Sequence, residues 1–281
     1  MKKRLLILII AIITITTTSC FSLFIPNTAP VKLYWRTFLR DNTIPLALTV
    51  YPVAYLYDED EKILYIRGRD DVLAAIDIWN KKILWKKTEF YADPFGFALY
   101  EYNGLLYTMY YELFREKPYI VGVDRKNGEI KWRYKLEADS GIGDAFAMED
   151  NYIYAIDFDP KKEFKKRGIL KKIDINTGEV IWETRDLIDI GTLIPVIDNE
   201  YNLIYVGSLE YSFHEDNEKP DTPPIVHSEF YAIDKDTGKI RWTYVLEYRG
   251  RVREATLASK PIIYGDSVYF ITAGAHFFRV K

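Results

Sequence analysis

The sequence is poor in cysteine and histidine. Its 281 residues include one cysteine, Cys20, and three histidines. A single cysteine excludes an intramolecular disulfide, so the fold has to be held by packing and hydrogen bonds alone. The chain also lacks the sequence signatures of a P-loop, a His-Glu-x-x-His metalloprotease and a Gly-x-Ser-x-Gly hydrolase. We therefore assign no catalytic residue, no metal ligand and no cofactor from the sequence.

Helical patterning is absent as well. After residue 30 no segment repeats its hydrophobic residues at the spacing of an amphipathic helix. Instead, apolar and polar residues alternate, as in residues 104–110 and 151–157, which is typical of half-buried strands. Tyr, Ile, Val and Phe dominate these segments and suit a pleated surface. The sequence therefore predicts an all-β protein.

Neither sign of charge is in large excess. The chain has 38 basic and 41 acidic side chains, for a net charge of −3. Removal of residues 1–19 would delete three basic residues and leave 35 basic against 41 acidic side chains. A mildly acidic domain without a basic stripe argues against a nucleic-acid partner.

Four segments repeat one motif, in which an aspartate ends a strand, a polar turn follows, and a tryptophan stands eight residues after the aspartate. The segments are Ile76–Trp85, Val123–Trp132, Ile173–Trp182 and Ile233–Trp242. The Trp-to-Trp intervals of 47, 50 and 60 residues indicate a repeat architecture. In three motifs a glycine (Gly128, Gly178 or Gly238) provides a positive φ, and the aspartate accepts local backbone hydrogen bonds. The first motif has no glycine, so its turn must be built differently or be slightly strained.

Four antiparallel strands per repeat, without helices, form the blade of a β-propeller. Residues 32–38, with Trp35, have the pattern of an outermost strand, but too few residues separate them from Cys20 for three earlier strands. At the other end, three strands are predicted without a tryptophan strand, at 255–263, 267–273 and 275–280. The single N-terminal strand can therefore supply the fourth strand that the three C-terminal strands lack. We predict a domain over 32–281 with five four-stranded blades, the last closed by the N-terminal strand.

Residues 231–242, Tyr-Ala-Ile-Asp-Lys-Asp-Thr-Gly-Lys-Ile-Arg-Trp, resemble the repeat of the pyrroloquinoline-quinone-like propellers. The resemblance extends over 32–281 and implies that the motif tryptophans pack between neighbouring blades. The quinone-dependent enzymes of that group, as the resemblance implies, have more blades, a vicinal cysteine pair and calcium ligands. This chain lacks the cysteine pair, so no catalytic or cofactor-binding residue is carried over, and we expect a protein that is not an enzyme.

The first residues resemble a secretion signal, with basic residues at 2–4, an apolar run over 5–13, and small residues before Cys20. This site is similar to the cleavage site of bacterial lipoproteins, although Thr17 stands where leucine is usual. It predicts a signal peptide over 1–19, a lipidated tether over 20–31, and an exported domain on the periplasmic or surface face of a membrane. The alternative is an uncleaved anchor over 5–25, which is long enough to cross a bilayer.

Two loops are long, and in a propeller they lie on the face opposite the tight turns. Residues 158–167 form a basic loop, which is either solvated or paired with anionic headgroups or with the acidic loop beside it. Residues 209–228 form that second loop, and long loops on a rigid scaffold are where binding residues concentrate. Its candidate partner-binding residues are His214, Glu215, Asp216 and His227. A metal site in this loop is the alternative, but the spacing matches no compact ligand motif.

Four further charged residues, Asp93, Asp144, Arg253 and Glu254, stand near the starts of predicted innermost strands and are candidates for the mouth of the central channel. Two functions follow. The first is a membrane-tethered binding or scaffold protein with a protein partner in the bacterial cell envelope. The second is a small-ligand-binding protein or enzyme that uses the channel mouth. Charged channel mouths also occur in propellers without enzymatic activity, so we favour the first.

Replacement of Cys20 tests the lipidation hypothesis. Lipid attachment needs the thiol, so the Cys20→Ser chain should accumulate as an unprocessed precursor that does not incorporate radiolabelled palmitate. Metabolic labelling and gel electrophoresis beside the wild-type chain give the measurement. Normal processing and labelling of the variant would support the uncleaved anchor instead.

Overall fold

The computed structural model describes residues 52–68, 72–88, 90, 98–112, 116–138, 146–188, 195–208, 211–213, 223–249, 261–271 and 277–280. The strands form five antiparallel sheets. The first sheet contains β1 (Pro52–Asp58), β2 (Ile63–Gly68), β3 (Leu73–Asp77) and β4 (Lys82–Lys87); the second contains β5 (Leu99–Tyr102), β6 (Leu105–Glu112), β7 (Glu116–Asp124) and β8 (Ile130–Lys135). The third contains β9 (Phe146–Glu149), β10 (Tyr152–Phe158), β11 (Gly168–Asp174) and β12 (Val180–Leu187). The fourth contains β13 (Val196–Asp198), β14 (Leu203–Gly207), β15 (Tyr211–Phe213), β16 (Ile225–Asp234) and β17 (Ile240–Arg249); the fifth contains β18 (Ile262–Tyr264), β19 (Ser267–Ile271) and β20 (Phe277–Val280).

The strand order within each sheet confirms the predicted β-propeller. In the first three sheets the strands pair in chain order, and the motif tryptophan lies on the last strand, at the sheet edge. The fourth sheet keeps this order and adds β15 beside β16. The fifth has the three predicted C-terminal strands, and its predicted closing strand at 32–38 lies outside the described residues. Within the described ranges the one helix is a 3₁₀ turn, Phe164–Lys166.

The repeated turns are built as the motif predicts. In the fourth sheet, the carbonyl of Asp234 accepts the N–H of Gly238 at 2.9 Å, and its carboxylate accepts the N–H of Thr237 at 2.8 Å. The other two glycine turns repeat the carbonyl bond, and all three glycines have φ between 70° and 75°. In the first motif Lys81 takes the glycine position with φ of 59°. There the carboxylate of Asp77 accepts both the backbone N–H and the side-chain amide of Asn80, so this turn is indeed built differently.

Two motif tryptophans dock on the turn of the following blade. The indole Nε1 of Trp85 donates to the carbonyl of Arg125 at 2.8 Å, and that of Trp182 donates to the carbonyl of Lys235 at 3.1 Å. The rings lie so close to the turn glycines that a Cβ would be 2.8 Å from Trp85 at Gly128 and 2.6 Å from Trp182 at Gly238. Packing of these tryptophans between blades is therefore confirmed, and these glycines are needed for space as well as for φ.

The hydrophobic core is divided among the blade interfaces. Each pair of consecutive sheets shares one cluster of buried side chains. Between the first two sheets, for example, Tyr65, Leu73 and Ala75 pack against Leu106 and Val121. Central strands are therefore apolar on both faces, because each face is covered by a neighbouring blade.

One face of the fifth sheet carries exposed apolar side chains. Ile262 and Phe277 are each 66% exposed and Tyr264 is 77% exposed. Tyr264 ends the innermost strand of its sheet, as Tyr102 does in the second sheet, where Tyr102 packs against the cluster that contains Ile175. Ile78 of the first sheet follows its turn aspartate as Ile175 does in the third. A ring in which the fifth sheet meets the first would therefore pair Tyr264 with Ile78.

Alanine at two turn glycines separates inter-blade packing from backbone strain. Gly238→Ala and Gly178→Ala both force alanine to a positive φ, which costs about 1–2 kcal/mol. Only Gly238→Ala also places a Cβ against Trp182, whereas nothing lies within 4 Å at Gly178. We expect Gly238→Ala to lose about 1–3 kcal/mol more of the unfolding free energy, from overpacking. Denaturant unfolding of both variants gives the comparison, and equal losses would contradict the packing role.

Engineered cysteines test the closure of the ring. In a Cys20→Ser background, Ile78→Cys with Tyr264→Cys should form an intramolecular disulfide, because a closed ring would place the two positions at one blade interface; such a bond requires Cβ atoms roughly 4 Å apart. Non-reducing electrophoresis and mass spectrometry would detect it. Ile181→Cys with Tyr264→Cys, which joins an outer strand of the third sheet to the fifth, is the control and should stay reduced. A disulfide-linked dimer from the first pair would contradict a ring closed within one chain.

Candidate functional site

The structure describes one of the predicted site residues, His227. The lipidation candidate Cys20, the loop residues His214, Glu215 and Asp216, and the channel-mouth residues Asp93, Asp144, Arg253 and Glu254 all lie outside the described residues and remain predictions. Across the described ranges, no helix has the length and apolar character needed to span a bilayer. In the same ranges, no three His, Cys, Asp or Glu side chains converge as a metal site would require.

The fourth sheet is extended on its loop side. Strands β16 and β17 are ten residues long each. The first half of β16 and the last half of β17 extend beyond the end of β14, where Gly207 pairs with Phe230. Beyond that point β15 takes over the pairing, with Tyr211 opposite His227 and Phe213 opposite Ile225. The fourth sheet therefore projects as a three-stranded extension, which we call the blade-4 extension (residues 211–213, 225–229 and 245–249).

The prediction of a loop over 209–228 is thus wrong at both of its ends. Ile225 and Val226 are buried and continue the ladder of β16, so His227 stands on a strand. Pro223 and Pro224 come just before β16, where a missing N–H does not interrupt the ladder. The cluster of prolines suggested an extended loop, whereas the apolar pair that follows them starts a strand.

His227 joins two carboxylates on the blade-4 extension. Its Nδ1 lies 3.1 Å from Oε2 of Glu247 on the paired strand, and its Nε2 lies 3.1 Å from Oε1 of Glu229. Ser208 secures the root of the extension, since its hydroxyl accepts the N–H of Glu229 and its own N–H donates to the carbonyl of that residue, both at 2.7 Å. The extension is therefore an ordered part of the sheet, with its charged groups tied to one another.

The basic loop of the third sheet is also ordered. The N–H of Asp159 donates to the carbonyl of Arg167 at 2.8 Å, which closes the base of the loop. The guanidinium of Arg167 lies 5.5 Å from the ring centroid of Phe158 and 5.2 Å from that of Phe164. The lysines of the loop (Lys161, Lys162, Lys165 and Lys166) are exposed. A basic projection thus stands on the same face as the blade-4 extension, one blade away.

A buried ion network lies under these loops, between the second and third sheets. Lys171 is 3% exposed and donates to Asp157, which is fully buried, and to Glu137, both at 2.7 Å. The carboxylate of Asp157 also accepts the backbone N–H groups of Glu137 and Ala138, at 2.9 and 3.1 Å. The network therefore fixes the start of the loop that leaves the second sheet.

The protonation of this network follows from its contacts. Burial alone would lower the pKa of the Lys171 ammonium, but the carboxylates of Asp157 and Glu137 outweigh it and raise that pKa above its usual value. Burial would raise the pKa of Glu137, and hydrogen bonds from Arg185 and Lys171 outweigh it and lower that pKa. Sequence reasoning missed the network. The available signal was a lysine and an aspartate at the apolar positions of two central strands.

The innermost strands of three sheets line an open cavity of about 240 Å³. Strand β5 contributes Tyr100, β9 contributes Met148 and Glu149, and β13 contributes Ile197. Among the described lining residues the carboxylate is Glu149, which accepts hydrogen bonds from Lys235 and Asn199. The cavity thus has an apolar and aromatic lining beside one carboxylate, which is already hydrogen-bonded.

Solved structures with a similar fold include enzymes. A europium-containing methanol dehydrogenase is 15% identical, with 78% of this chain covering 47% of that one and a TM-score of 0.52. Hydrazine synthase of Kuenenia stuttgartiensis is 14% identical; the match covers 82% of this chain and 64% of that one, with a TM-score of 0.51. The quinohemoprotein alcohol dehydrogenase of Comamonas testosteroni is 17% identical; the match covers 78% of this chain and 40% of that one, with a TM-score of 0.50. The chain thus spans about half the length, or less, of the two dehydrogenases, and these likenesses establish the fold alone.

Sequence comparison is more specific. Among curated proteins no sequence matches the chain. A family profile described as "Outer membrane protein assembly factor BamB" matches residues 53–184 and 166–281, which together include all five sheets. The resemblance to pyrroloquinoline-quinone-like repeats is confirmed by this match and by the fold. The chain belongs to the family of the outer membrane protein assembly factor BamB.

Proposed function

We propose that this chain is an exported, membrane-tethered scaffold that binds a protein partner during the assembly of outer membrane proteins. The partner would bind the loop face, which is the face opposite the tight turns and carries the basic loop and the blade-4 extension. The family description supports the assembly role. The observation that carries the binding role is the blade-4 extension, which departs from the regular blade and projects from the loop face.

The loop face is suited to a partner with mixed charge. The blade-4 extension presents Glu229 and Glu247 beside His227, and the basic loop of the third sheet lies one blade away. Opposite charges on adjacent projections favour one orientation of a partner and speed its encounter more than they add affinity. Residues 214–222, with candidate residues His214, Glu215 and Asp216, connect the strands of the extension and belong to the proposed surface.

The tether is part of the same proposal. Cys20 follows the signal-like segment, and lipidation there would hold the domain at a membrane on the exported side. A scaffold for the assembly of outer membrane proteins needs this location, because the proteins it would help to assemble end in a membrane. The alternative function in the central channel, as a ligand-binding protein or enzyme, depends on Asp93, Asp144, Arg253 and Glu254.

Shortening the tip of the blade-4 extension tests the binding role. Residues 214–222 are replaced by a short Gly-Ser linker, which leaves the pairing of β15 with β16 in place. Loop length changes stability only slowly, so the unfolding free energy should stay within about 1 kcal/mol of wild type. In cells that lack the native gene, the variant should fail to restore the level of folded, heat-modifiable outer membrane β-barrels that the wild-type chain restores, as read by gel electrophoresis.

The matched control is Lys126→Ser, at an exposed turn position on the opposite face, which should complement as wild type does. Full complementation by the shortened chain would contradict a partner site on the blade-4 extension. In that case charge-neutral substitutions at Asp93 and Asp144 would be compared in the same assay, and their failure would favour the channel mouth.

A further inference from the structure

The tight turns of the sheets form one continuous surface, here called the turn face. Within a sheet, the connection between the first two strands and that between the last two lie at the same end, because the strands pair in chain order. Between sheets, Arg125 in a turn of the second sheet meets Asp58 at the end of β1, 3.0 Å apart. Lys235 in a turn of the fourth sheet meets Glu149 at the end of β9, 2.8 Å apart. Turn ends therefore face the same way in successive blades.

Trp79 stands out on the turn face. It lies at the tip of the β3–β4 turn and is 79% exposed, the highest exposure among the large hydrophobic side chains of the described residues. The equivalent position holds Lys126, Asn176 and Asp236 in the other three motifs. Three turns thus present a polar side chain to solvent where this one presents an indole. The fold does not require an aromatic residue here.

The turn that carries Trp79 is rigid. The N–H of Ile78 donates to the carbonyl of Lys62 in the neighbouring turn at 3.1 Å, and Asp77 accepts two bonds from Asn80 at 2.8 and 2.7 Å. The indole is therefore held out from the surface by an ordered hairpin.

The charges around Trp79 are mixed. Lys81 and Lys82 follow it in the same turn and are exposed, whereas Glu59, Asp60 and Glu61 are exposed in the adjacent turn. Such a neighbourhood suits a zwitterionic phospholipid surface better than a strongly anionic one, which would repel the carboxylates. Tyr201, in a turn of the fourth sheet, is a second exposed aromatic residue on this face. Trp and Tyr favour the headgroup region of a bilayer, where one end of the side chain is apolar and the other is wet.

The direction of the tether points to the same face. Each outermost strand of the first four sheets begins directly after a tight turn and so starts at the turn face. By the ring closure that the sequence predicts, residues 32–38 would form the outermost strand of the fifth blade, and this strand would start there too. Residues 20–31 would then leave the domain from the turn face, and twelve residues reach at most about 40 Å. A lipid on Cys20 would hold this face, rather than the loop face, near the membrane.

We propose that the turn face rests on the phospholipid surface, with the indole of Trp79 in the headgroup region, and that this orients the loop face toward the partner. The inference rests on the tether of the proposed function. It assigns the two faces different tasks, with the membrane at the turns and the protein partner at the loops.

Fluorescence quenching by brominated lipid tests the contact. The full-length lipidated chain is reconstituted in vesicles of phosphatidylcholine, either plain or brominated near the headgroup. The six tryptophans include Trp79, and the ratio of emission in brominated to plain vesicles should fall below one for the wild type. In Trp79→Phe, which keeps an aromatic ring at the turn, the ratio should return to one.

Two matched variants in the Trp79→Phe background report on orientation. Lys126→Trp, at the equivalent turn of the second sheet, should restore part of the quenching, and Lys161→Trp on the loop face should not. Quenching of Lys161→Trp without quenching of Trp79 would overturn the orientation. Vesicle-bound wild type without Trp79 quenching would also overturn it, and loss of a co-purifying partner in Trp79→Ala would then assign the indole to a protein contact. A chain that does not float with vesicles would refute the tether, and with it this inference.

Discussion

In the second and fourth sheets, the residue that follows the turn aspartate holds two blades together, and these two blade interfaces depend on this contact. In the second sheet the N–H of Arg125 donates to the carbonyl of Gly104 in the neighbouring turn of its own sheet, at 3.2 Å. Its carbonyl accepts the indole of Trp85 from the sheet before, and its guanidinium pairs with Asp58 of that sheet. One residue thus binds its own sheet through its N–H and the preceding sheet through its carbonyl and side chain.

The blade interfaces are not interchangeable at their turn ends. Arg125 and Lys235 make ion pairs with the preceding sheet, whereas Ile175, at the same position between the second and third sheets, lies in an apolar cluster with Tyr102 packed against it. A blade docked in the wrong place would bury a charged group against an aromatic ring, which is costly without a partner. The alternation of polar and apolar contacts therefore helps to specify the order of the blades, as unpaired charges do in other specific interfaces.

The sheets of this chain differ from one another mainly on the loop side. The turn side is fixed by repeated hydrogen bonds, so changes there, such as the exposed Trp79, are confined to side chains at the tips of turns. The loop side carries whole additional elements, namely the extra strand β15 and the 3₁₀ turn Phe164–Lys166. The buried pair of Lys171 and Asp157 gives these loops a firm base. In the described residues the turn side thus stays constant from sheet to sheet, and the loop side differs, as is usual for loops on a rigid framework.

The class of fold, the number of repeats and the role of the motif can all be predicted from local patterns in the sequence. Alternating apolar residues define strands locally, and an Asp-x-x-x-Gly turn closes through bonds among its own residues, so neither depends on distant contacts. Other features depend on contacts between residues that are far apart in the chain. Gly178 and Gly238 have the same motif and the same φ, yet only Gly238 is pressed against a tryptophan, because that tryptophan comes from another blade. In the same way, His227 lies on a strand because β15 and β17 pair with its neighbours, and Lys171 is buried because a carboxylate from an adjacent strand faces it. Each of these depends on which residues meet across blades or strands, and the local pattern along the chain carries no information about that meeting.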